Sequence, residues 1–424
     1  MSEGGPNVIL LSADALRADH CSCYGYDRNT TPNLAQFASE HTFFKNAYSA
    51  SSHTREAVPA LLSGEPPSVC VSDEYALATD TIATLLADTE YATAGIHSNP
   101  YVSRAYGFNR DFDYFDDDLR LGQHKILALA QRALDKLRRR HYARAETINK
   151  RALSWIDSTE EPFFLWAHYM DPHGPYCPPQ EYQGMFDDET SSMKRAQNLY
   201  KRAAVTDPDS ITDAERQELL NLYDAEIRYT DDQIKAFLDG LESRGLLEET
   251  IVIITADHGD AFGEHDYYGH PRELDEELTK VPLIVDGIED GADVDVPIST
   301  LDIVPTVLDA VGEPISELPG VSLFDVVDSP EAFAERSVVQ SVRGDSKETK
   351  YIRRFSARTE TEACFLERDL ESGELLGELK GDSALSESLL SVSEQWLARK
   401  AHESKVGTKT DGDVERRLEA LGYK

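Results

Sequence analysis

The sequence predicts an α/β fold in which a parallel sheet is flanked by helices. Short apolar runs, typical of strands buried on both faces, alternate with longer amphipathic segments. Several of these runs lead directly into Asp or His residues, as strands do at the ligand-binding edge of an open sheet. The predicted strands are Val8–Leu11, Thr93–Ile96, Phe163–Ala167, Ile251–Thr255 and Val281–Val285.

Amphipathic segments between these runs predict the helices that cover the sheet. Their apolar residues recur on one face at the helical period, and their other positions are polar. The predicted helices are Thr31–Glu40, Thr81–Thr89, the long stretch around Ile126–Asp157, and Asp213–Arg244.

The pattern changes in the last quarter of the chain. Short, charged, alternating runs at Lys350–Ser356 and Ala363–Arg368 predict strands, and Leu385–Ala401 and Asp413–Leu421 predict helices. We therefore expect a large α/β domain over residues 1–330 and a small C-terminal α+β subdomain over residues 331–424.

The chain is strongly acidic. Its 424 residues include 78 Asp and Glu against 42 Lys and Arg, which gives a formal net charge of −36. Salt or bound cations must screen this self-repulsion, so we expect a halophilic host. The same charge repels nucleic acid and anionic membranes, and a site for an anionic substrate would have to supply its own positive charge.

Cysteine usage and hydropathy predict the compartment. The five cysteines are odd in number and scattered, without the CxxC spacing of a structural zinc site, which argues against a disulfide framework. The N-terminus lacks the basic n-region of a signal peptide, and no apolar stretch approaches the roughly 20 residues that span a bilayer. We expect a cytoplasmic protein without a membrane span.

Carboxylates and imidazoles follow four of the predicted strands. Asp14 follows the first, His97 the second, the segment His168–His173 the third, and Asp257 with His258 the fourth. Because the carboxyl ends of parallel strands meet at one edge of a sheet, we expect these side chains to lie together. Oxygen and nitrogen ligands of this kind suit several divalent cations, although Asp14 taken alone fits a helix cap equally well.

Two loops add further histidines. The segment His168–Tyr176 carries two histidines and an aspartate on a proline-rich loop, a rigid support for ligands. The alternative is a turn whose polar groups satisfy only the local backbone. His265 and His270 lie on a glycine-containing loop after Asp257, and of these two we expect His265 to be the bystander.

A hydroxyl nucleophile is predicted in the segment Ser49–Gly64. Its hydroxyls, that of Thr54 among them, stand just before a short predicted helix that ends at Gly64, and a helix N-terminus favours bound anions. A hydroxyl there, close to a divalent cation, would lose its proton more easily and could attack sulfur or phosphorus. The alternative is that Thr54 is only an N-cap.

Several motifs in a fixed order resemble those of the sulfatase family, in the alkaline phosphatase-like superfamily. They include NVILLSADALRADHCSCYGY, HTREAVPALLSG, FFLWAHYMDPHGPY and TADHGDAFGEHDYYGH. The resemblance covers roughly the first 310 residues, and the later LDIVPTVLDAVG and RRLEALGY extend it. Ordered motifs are far more specific than any lone signature.

The resemblance implies a fold, a cofactor and roles for particular residues. The fold is a sandwich around a large mixed, mostly parallel sheet with a small C-terminal subdomain. The cofactor is a divalent cation, with calcium favoured and magnesium, manganese or zinc as alternatives. The implied metal ligands are Asp14, Asp257 and His258. The implied nucleophile is Thr54. His173 and His270 would contact the ester or leaving group, and Arg17 and Arg55 would stabilise charge.

Two departures from the family pattern affect the expected chemistry. Sulfatases convert the Cys or Ser that opens a CxPSR-type motif into formylglycine, whereas Thr54 opens that segment here, with Glu56 and Val58 in place of Pro and Arg. Formylglycine cannot form from threonine. A second Asp beside Asp14 is also missing, because alanines flank it. Superfamily members with a Thr nucleophile hydrolyse phosphodiesters or transfer phosphoryl-linked groups through a phosphothreonine.

Three functions are compatible with these residues. The first is metal-dependent cleavage of a sulfate or phosphate ester, on a small molecule or a glycan, through Thr54. The second is a phosphodiesterase or phospho-group transferase acting on a glycan or lipid head group. The third is a non-catalytic protein that binds an anionic glycan. The sequence makes no prediction of the oligomeric state.

Overall fold

The structure, a computed structural model, describes residues 5–118, 142–187, 191–315, 318–344, 352–370, 372–380 and 383–399. The strands in these ranges form a large sheet, two short pairs and a four-stranded C-terminal sheet. They are β1 (Asn7–Asp14), β2 (Thr42–Phe44), β3 (Ala47–Tyr48), β4 (Ala92–Ile96), β5 (Tyr114–Asp116), β6 (Phe163–Pro172), β7 (Thr250–Ala256), β8 (Ala261–Phe262), β9 (Tyr268–Gly269), β10 (Leu283–Asp286), β11 (Asp293–Val294), β12 (Ile298–Ser299), β13 (Val338–Gly344), β14 (Ile352–Arg358), β15 (Ala363–Asp369) and β16 (Leu375–Lys380).

One of the described helices is shorter than the amphipathic pattern predicts. The predicted helix Thr81–Thr89 covers only Ile82–Leu85, because the following amides bond to carbonyls three residues back and tighten the chain into turns. The helices are Pro32–Glu40, Thr54–Ser63, Pro67–Cys70, Ile82–Leu85, Ala145–Ile156, Met193–Lys201, Asp213–Glu242, Glu276–Thr279, Ile303–Val311, Leu323–Asp328 and Ser383–Ala398.

The predictions of the other long helices are confirmed where the structure describes them. Pro32–Glu40 and Asp213–Glu242 match the predicted segments, and a capping box at Thr212 starts the second. Ala145–Ile156 accounts for the end of the stretch around Ile126–Asp157, while residues 119–141 and the predicted helix Asp413–Leu421 lie outside the described residues. None of the described helices has the length and apolar character needed to cross a bilayer.

The large sheet confirms the predicted fold class. Its eight strands lie in the order β11-β2-β10-β7-β1-β6-β4-β5. The five neighbours from β7 to β5 are parallel to one another, and β2 and β11 are parallel to each other, whereas β10 runs antiparallel to both β7 and β2. The predicted strand Val281–Val285 corresponds to β10, so this run enters the sheet in the opposite direction to the others.

The central strands are buried on both faces, which explains their continuous apolar character. Alternate residues of β1 point to opposite sides: Val8 and Leu10 pack into one core, and Ile9 and Leu11 pack into the other. The helices Thr54–Ser63 and Ile303–Val311 cover the first side, and Pro32–Glu40, Ala145–Ile156 and Asp213–Glu242 cover the second.

A small antiparallel sheet follows the large domain, as predicted. Its strands lie in the order β13-β14-β15-β16, and the helix Ser383–Ala398 packs against β14 and β15. A buried ion pair joins this sheet to the first core: Arg353 of β14 contacts Glu56 of the helix Thr54–Ser63 at 3.0 Å, and both side chains are at most 2% exposed. The amide of Arg343 also donates to Glu56, at 2.8 Å. The subdomain therefore supports the helix that carries Thr54.

One carboxylate links two helices on the far side of the sheet. Asp231, in the helix Asp213–Glu242, accepts the backbone amides of Asn33 and Leu34 at 3.0 and 2.8 Å and the Asn33 side chain at 2.8 Å. These amides belong to the first turn of the helix Pro32–Glu40, whose own N-cap residue Thr31 makes no side-chain cap bond. Asp231, in one helix, thus caps the N-terminus of another helix.

Replacing Asp231 with Ala should lower the free energy of unfolding by about 1–3 kcal/mol, because two helix-end amides would lose their acceptor in a buried place. Chemical denaturation measured by circular dichroism in constant high salt tests this. Asp239→Ala, on the same helix at an exposed position, is the matched control. An equal loss in both variants would contradict the capping role.

Candidate active site

Two aspartates lie at the carboxyl ends of two adjacent central strands. Asp14 is the last residue of β1, Asp257 follows β7 directly, and both side chains are buried. The chain leaves β1 through Ala15, whose φ of 61° lies in the left-handed region that is costly for a residue with a Cβ. The Ala15 amide donates to Asp257 Oδ1 at 3.1 Å, so the unusual turn is held by the second aspartate.

The turn that carries His258 fixes the tautomer of its ring. His258 Nδ1 is 2.8 Å from the carbonyl of Gly259, and because a carbonyl only accepts, Nδ1 carries the proton. The lone pair of Nε2 is then free to act as a ligand. A Cβ on Gly259 would lie 2.0 Å from the Glu277 carbonyl oxygen, so glycine is required for this close approach of the two chain segments.

The three residues predicted as metal ligands come together. One ligand atom from each of Asp14, Asp257 and His258 lies within 4.8 Å of the other two. His258 Nε2 is 3.6 Å from both Asp14 Oδ1 and Asp257 Oδ2, and these two carboxylate oxygens have no hydrogen-bond partner among the described residues. Buried polar atoms without partners are rare. Two anionic oxygens facing a basic nitrogen fit a divalent cation.

The protonation behaviour of the two carboxyl groups agrees with such a site. Burial and the charge of Asp14 raise the pKa of Asp257. The pKa of Asp14 is lowered against the effect of its own burial, because His173, His168 and His258 face it. Two carboxylates this close repel each other in the interior, and a cation held by both would remove that repulsion.

The Thr54 hydroxyl lies beside the same atoms. Thr54 is the first residue of the helix Thr54–Ser63 and is fully buried. Its Oγ1 is 3.0 Å from His258 Nε2, and in the neutral ring, whose proton is on Nδ1, the hydroxyl donates to this nitrogen. The cap is His53 instead, whose Nδ1 accepts the Arg55 amide at 3.3 Å. The hydroxyl is therefore free of the capping role considered for it.

Side chains from other strands orient Asp14. Asn99 Nδ2 donates to Asp14 Oδ2 at 2.6 Å, and His168 Nε2 lies 3.4 Å from the same oxygen. On its other side, His168 Nδ1 is 2.9 Å from Ser12 Oγ, which also accepts from Trp166 Nε1 at 3.0 Å. Because a carboxylate only accepts, His168 Nε2 carries a proton toward Asp14, and in the neutral ring Nδ1 then accepts the Ser12 hydroxyl.

Asn99 and Ser12 were missed by reasoning from the sequence. Asn99 follows β4 by three residues, so the rule that polar residues at strand ends meet would have identified it. His97, the residue predicted there, is instead fully buried between the rings of Phe115 and Trp166, both 5.2 Å away. Ser12 lies inside a strand, where no sequence signal distinguishes it from a core position.

Histidine rings line one side of the Thr54 site. His270 is central, with ring centroids 4.7 Å from His258, 4.9 Å from His173 and 5.4 Å from His53. His173 and His270, which the sequence placed on different loops, are thus brought together. Burial lowers the pKa of His53, and the cationic neighbours His270 and Arg272 add to that effect.

Asp260 orients the central histidine. Its Oδ1 lies 3.1 Å from His270 Nδ1, and its Oδ2 accepts from the Tyr176 hydroxyl. Burial lowers the pKa of His270, and the bond to Asp260 opposes this shift. His173 Nδ1 contacts the Gly174 carbonyl at 2.5 Å and therefore carries the proton. Both rings are held in defined orientations.

The two predicted arginines have different surroundings. The Arg17 guanidinium is paired with Asp19 and Glu264, each at 2.7 Å, and also donates to the Asp260 carbonyl at 2.9 Å. The carboxylates of Asp19 and Glu264 therefore neutralise its charge. Arg55, next to Thr54, lies over the rings of Tyr75 and Tyr101 at 3.9 and 4.7 Å.

The remaining polar residues of these loops have structural contacts. Asp171, between the two histidines of its loop, accepts from the buried guanidinium of Arg144 at 2.8 Å. The same guanidinium pairs with Glu226 at 2.7 Å, so this part of the loop is tied to the long helix. The side chain of His265 is 44% exposed and contacts Glu277 at 3.1 Å, in line with its expected bystander role.

Comparison with known proteins agrees with this fold. Residues 6–313 match the Sulfatase family, and the chain therefore belongs to the sulfatase family, a class of ester hydrolases. An N-acetylglucosamine-6-O-sulfatase of Bacteroides thetaiotaomicron is 24% identical, covering 76% of this chain and 71% of its own. A low-salt glycan biosynthesis sulfotransferase of Haloferax volcanii is 31% identical, covering 39% of this chain and 37% of its own.

A solved structure shows the same fold. The phosphonate monoester hydrolase of Agrobacterium radiobacter superposes with a TM-score of 0.69 at 17% identity, over 93% of this chain and 95% of that one. Family membership and this similarity confirm the predicted family and the alkaline phosphatase-like fold.

Removing divalent cations should lower the thermal midpoint, because Asp14 and Asp257 would then repel each other without compensation. A cation at about 100 times its Kd would stabilise the protein by about 2.7 kcal/mol. Scanning calorimetry after chelation, and after adding back calcium, magnesium, manganese or zinc singly, measures this.

A matched pair of variants locates the cation. Asp257→Asn should abolish the cation-dependent rise in midpoint, whereas Asp286→Asn should retain it. Asp286 lies in the other cluster with metal-compatible geometry among the described residues, formed with His41 and Asp290 at a more exposed position. A rise that survives Asp257→Asn would place the cation elsewhere.

Proposed function

We propose that this enzyme cleaves or transfers a sulfate or phosphate ester through a covalent ester on Thr54. The observation that carries the proposal is the 3.0 Å contact between Thr54 Oγ1 and His258 Nε2, next to two buried carboxylate oxygens without hydrogen-bond partners. A buried hydroxyl at a helix N-terminus, beside a site suited to a cation, is placed to act as a nucleophile.

Asp14, Asp257 and His258 would hold the divalent cation. When bound, the cation supplies positive charge that makes the hydroxyl more acidic and offsets the charge of the ester anion. The chain itself adds the positive end of the dipole of the helix Thr54–Ser63, which favours a bound anion. Without these contributions an anionic ester would meet the carboxylates of Asp14 and Asp257, and the chain as a whole is strongly negative.

The bond changes are those of a double displacement. The Thr54 hydroxyl loses its proton to solvent as its oxygen forms a bond to sulfur or phosphorus, and the bond to the departing alcohol oxygen breaks. The alcohol takes a proton from His173 or His270. Water or an acceptor alcohol then attacks the same atom, gives its proton to that histidine, and releases the Thr54 oxygen, which takes up a proton from solvent. A positioned acid of this kind contributes about 10²–10⁴-fold. Asp260 would stabilise His270 in its protonated form through the Nδ1 contact.

The substrate class is proposed from the relatives and from Thr54 itself. The Bacteroides relative acts on N-acetylglucosamine 6-sulfate, as its name states, which favours an ester on a sugar. Thr54 cannot form formylglycine, and this favours the alternative of a phosphodiesterase or phospho-group transferase. The name of the Haloferax relative favours transfer over hydrolysis for the segment that it matches. We also propose a saline, cytoplasmic setting from the acidic composition.

The covalent step can be observed directly. Brief incubation with an aryl sulfate or an aryl phosphodiester, in high salt with a divalent cation, should leave an adduct on the peptide that contains Thr54. Acid quenching and peptide mass spectrometry identify it, and its composition separates sulfate from phosphodiester chemistry. No adduct and no turnover with either substrate would contradict the proposal.

Two variants test the nucleophile. Thr54→Ala should reduce turnover to background while the cation-dependent midpoint is retained. Ser52→Ala is the control, because its hydroxyl is also buried in the same loop and has no hydrogen-bond partner among the described residues. Turnover that persists in Thr54→Ala would exclude it as the nucleophile.

The leaving-group acid should show itself through leaving-group dependence. Replacing the responsible histidine, His173 or His270, with Gln should slow esters of alkyl alcohols by about 10²–10⁴-fold, because their alkoxides need a proton. Esters of 4-nitrophenol should be affected far less. The dependence of kcat/KM on the pKa of the leaving group, measured over a series of esters, tests this. Equal losses across the series, for both variants, would exclude a role in proton donation.

A further inference from the structure

Three arginines surround one tyrosine ring near the Thr54 site. The guanidinium carbons of Arg55, Arg343 and Arg272 lie 3.9, 5.0 and 5.4 Å from the centroid of the Tyr75 ring. We call these four residues the Tyr75 cluster. They come from four separate parts of the chain: the helix Thr54–Ser63, the segment before Leu77, the loop after His270, and strand β13.

The positive charge of the Tyr75 cluster is incompletely neutralised. Arg343 pairs with Asp73 at 3.2 Å, but the Asp73 side chain is 94% exposed, so water screens much of that interaction. Neither Arg55 nor Arg272 has an ion pair with a carboxylate among the described residues. In a chain with a net charge of −36, where most arginines of the described part have acidic partners, this is an exception.

Three polar atoms of the Tyr75 cluster also lack hydrogen-bond partners among the described residues. The Tyr75 hydroxyl, Arg55 Nε and Arg343 Nε are all shielded from water and have no hydrogen-bond partner among the described residues. Arg272 donates one N–H to the Arg343 carbonyl at 3.2 Å. Aromatic faces attract cations, but one ring cannot offset the mutual repulsion of three. An anion in contact with the guanidinium groups would do so.

The Tyr75 cluster is continuous with the Thr54 site. His270 lies 5.4 Å from His53, and His53 lies 6.1 Å from Tyr101, measured between ring centroids. Arg55 in turn packs on Tyr101 at 4.7 Å, and it directly follows Thr54 in the helix. A substrate whose ester reaches Thr54 would therefore extend over these rings toward Arg272.

We propose that the Tyr75 cluster binds a second anionic group of the substrate, so that the enzyme selects esters that carry two negative groups. This inference rests on the proposed function for the place of the first ester. The second group is a carboxylate, sulfate or phosphate, each of which presents oxygens that match the N–H fork of arginine. The Tyr75 cluster thus supplies positive charge that the acidic surface lacks.

Equilibrium binding tests the proposal without requiring turnover. Isothermal titration of the Thr54→Ala protein, with divalent cation and constant ionic strength, compares ligands that differ in the second anion. Glucosamine 6-sulfate is matched with glucosamine 2-N,6-O-disulfate, and glucose 6-phosphate with glucose 1,6-bisphosphate. A disaccharide of a uronate and glucosamine 6-sulfate provides the carboxylate. The pair with the largest preference identifies the second group.

The expected result is a preference of about 10-fold or more for one ligand with two anions, the range of a charge-assisted arginine contact. Arg272→Gln should reduce that preference to less than about 3-fold, and Arg272→Lys should restore part of it. Arg244→Gln is the matched control, since Arg244 pairs with Asp157 at an exposed position. Thermal midpoints confirm that each variant folds.

Two outcomes would overturn the proposal. One is equal affinity for the single-anion and double-anion ligand in all three arms, and the other is a preference that Arg272→Gln leaves intact. Failure of the proposed function would give a different result, namely no adduct on Thr54 in the wild-type protein. A protein that forms the adduct but shows no double-anion preference retains the function and lacks this subsite.

Discussion

The repulsion between Asp14 and Asp257 is the constraint on which the site depends. Adjacent parallel strands β1 and β7 deliver both carboxylates to one buried point, and the strained turn at Ala15 is held there by Asp257 itself. The tautomer of His258 is fixed so that a lone pair faces the same point. Apolar side chains cannot compensate these two negative charges. The helix dipole, the histidines and a bound cation would do so.

The fold and the strand-end residues could be predicted because they follow from local rules. Continuous apolar runs identify doubly buried strands, and parallel strands end at one edge, so Asp14 and Asp257 were expected at the same edge of the sheet. Thr54 was found by its place before a helix and by the resemblance to the sulfatase family. The direction of β10 was not predictable in the same way, because an apolar run of four residues fits either direction in a sheet.

The supporting residues were harder to predict because their roles depend on contacts distant in sequence. Ser12 is polar within an apolar strand, and only the neighbouring Trp166 and His168 reveal its function. Arg17 precedes its partner Glu264 by almost the whole large domain, so its neutralised charge could not be anticipated. The same holds for Arg343 and Arg272, which lie 71 residues apart in the sequence and meet at Tyr75.

The buried contact between Glu56 and Arg353 has a consequence for how the protein folds. Glu56 lies two residues after Thr54, and its charge is balanced from the C-terminal sheet. A chain shortened before β14 would leave that buried carboxylate without its charged partner Arg353, at a cost of about 3–5 kcal/mol, a large fraction of the stability of many proteins. The C-terminal sheet is therefore a structural part of the catalytic unit, and the two should unfold together in a single cooperative transition.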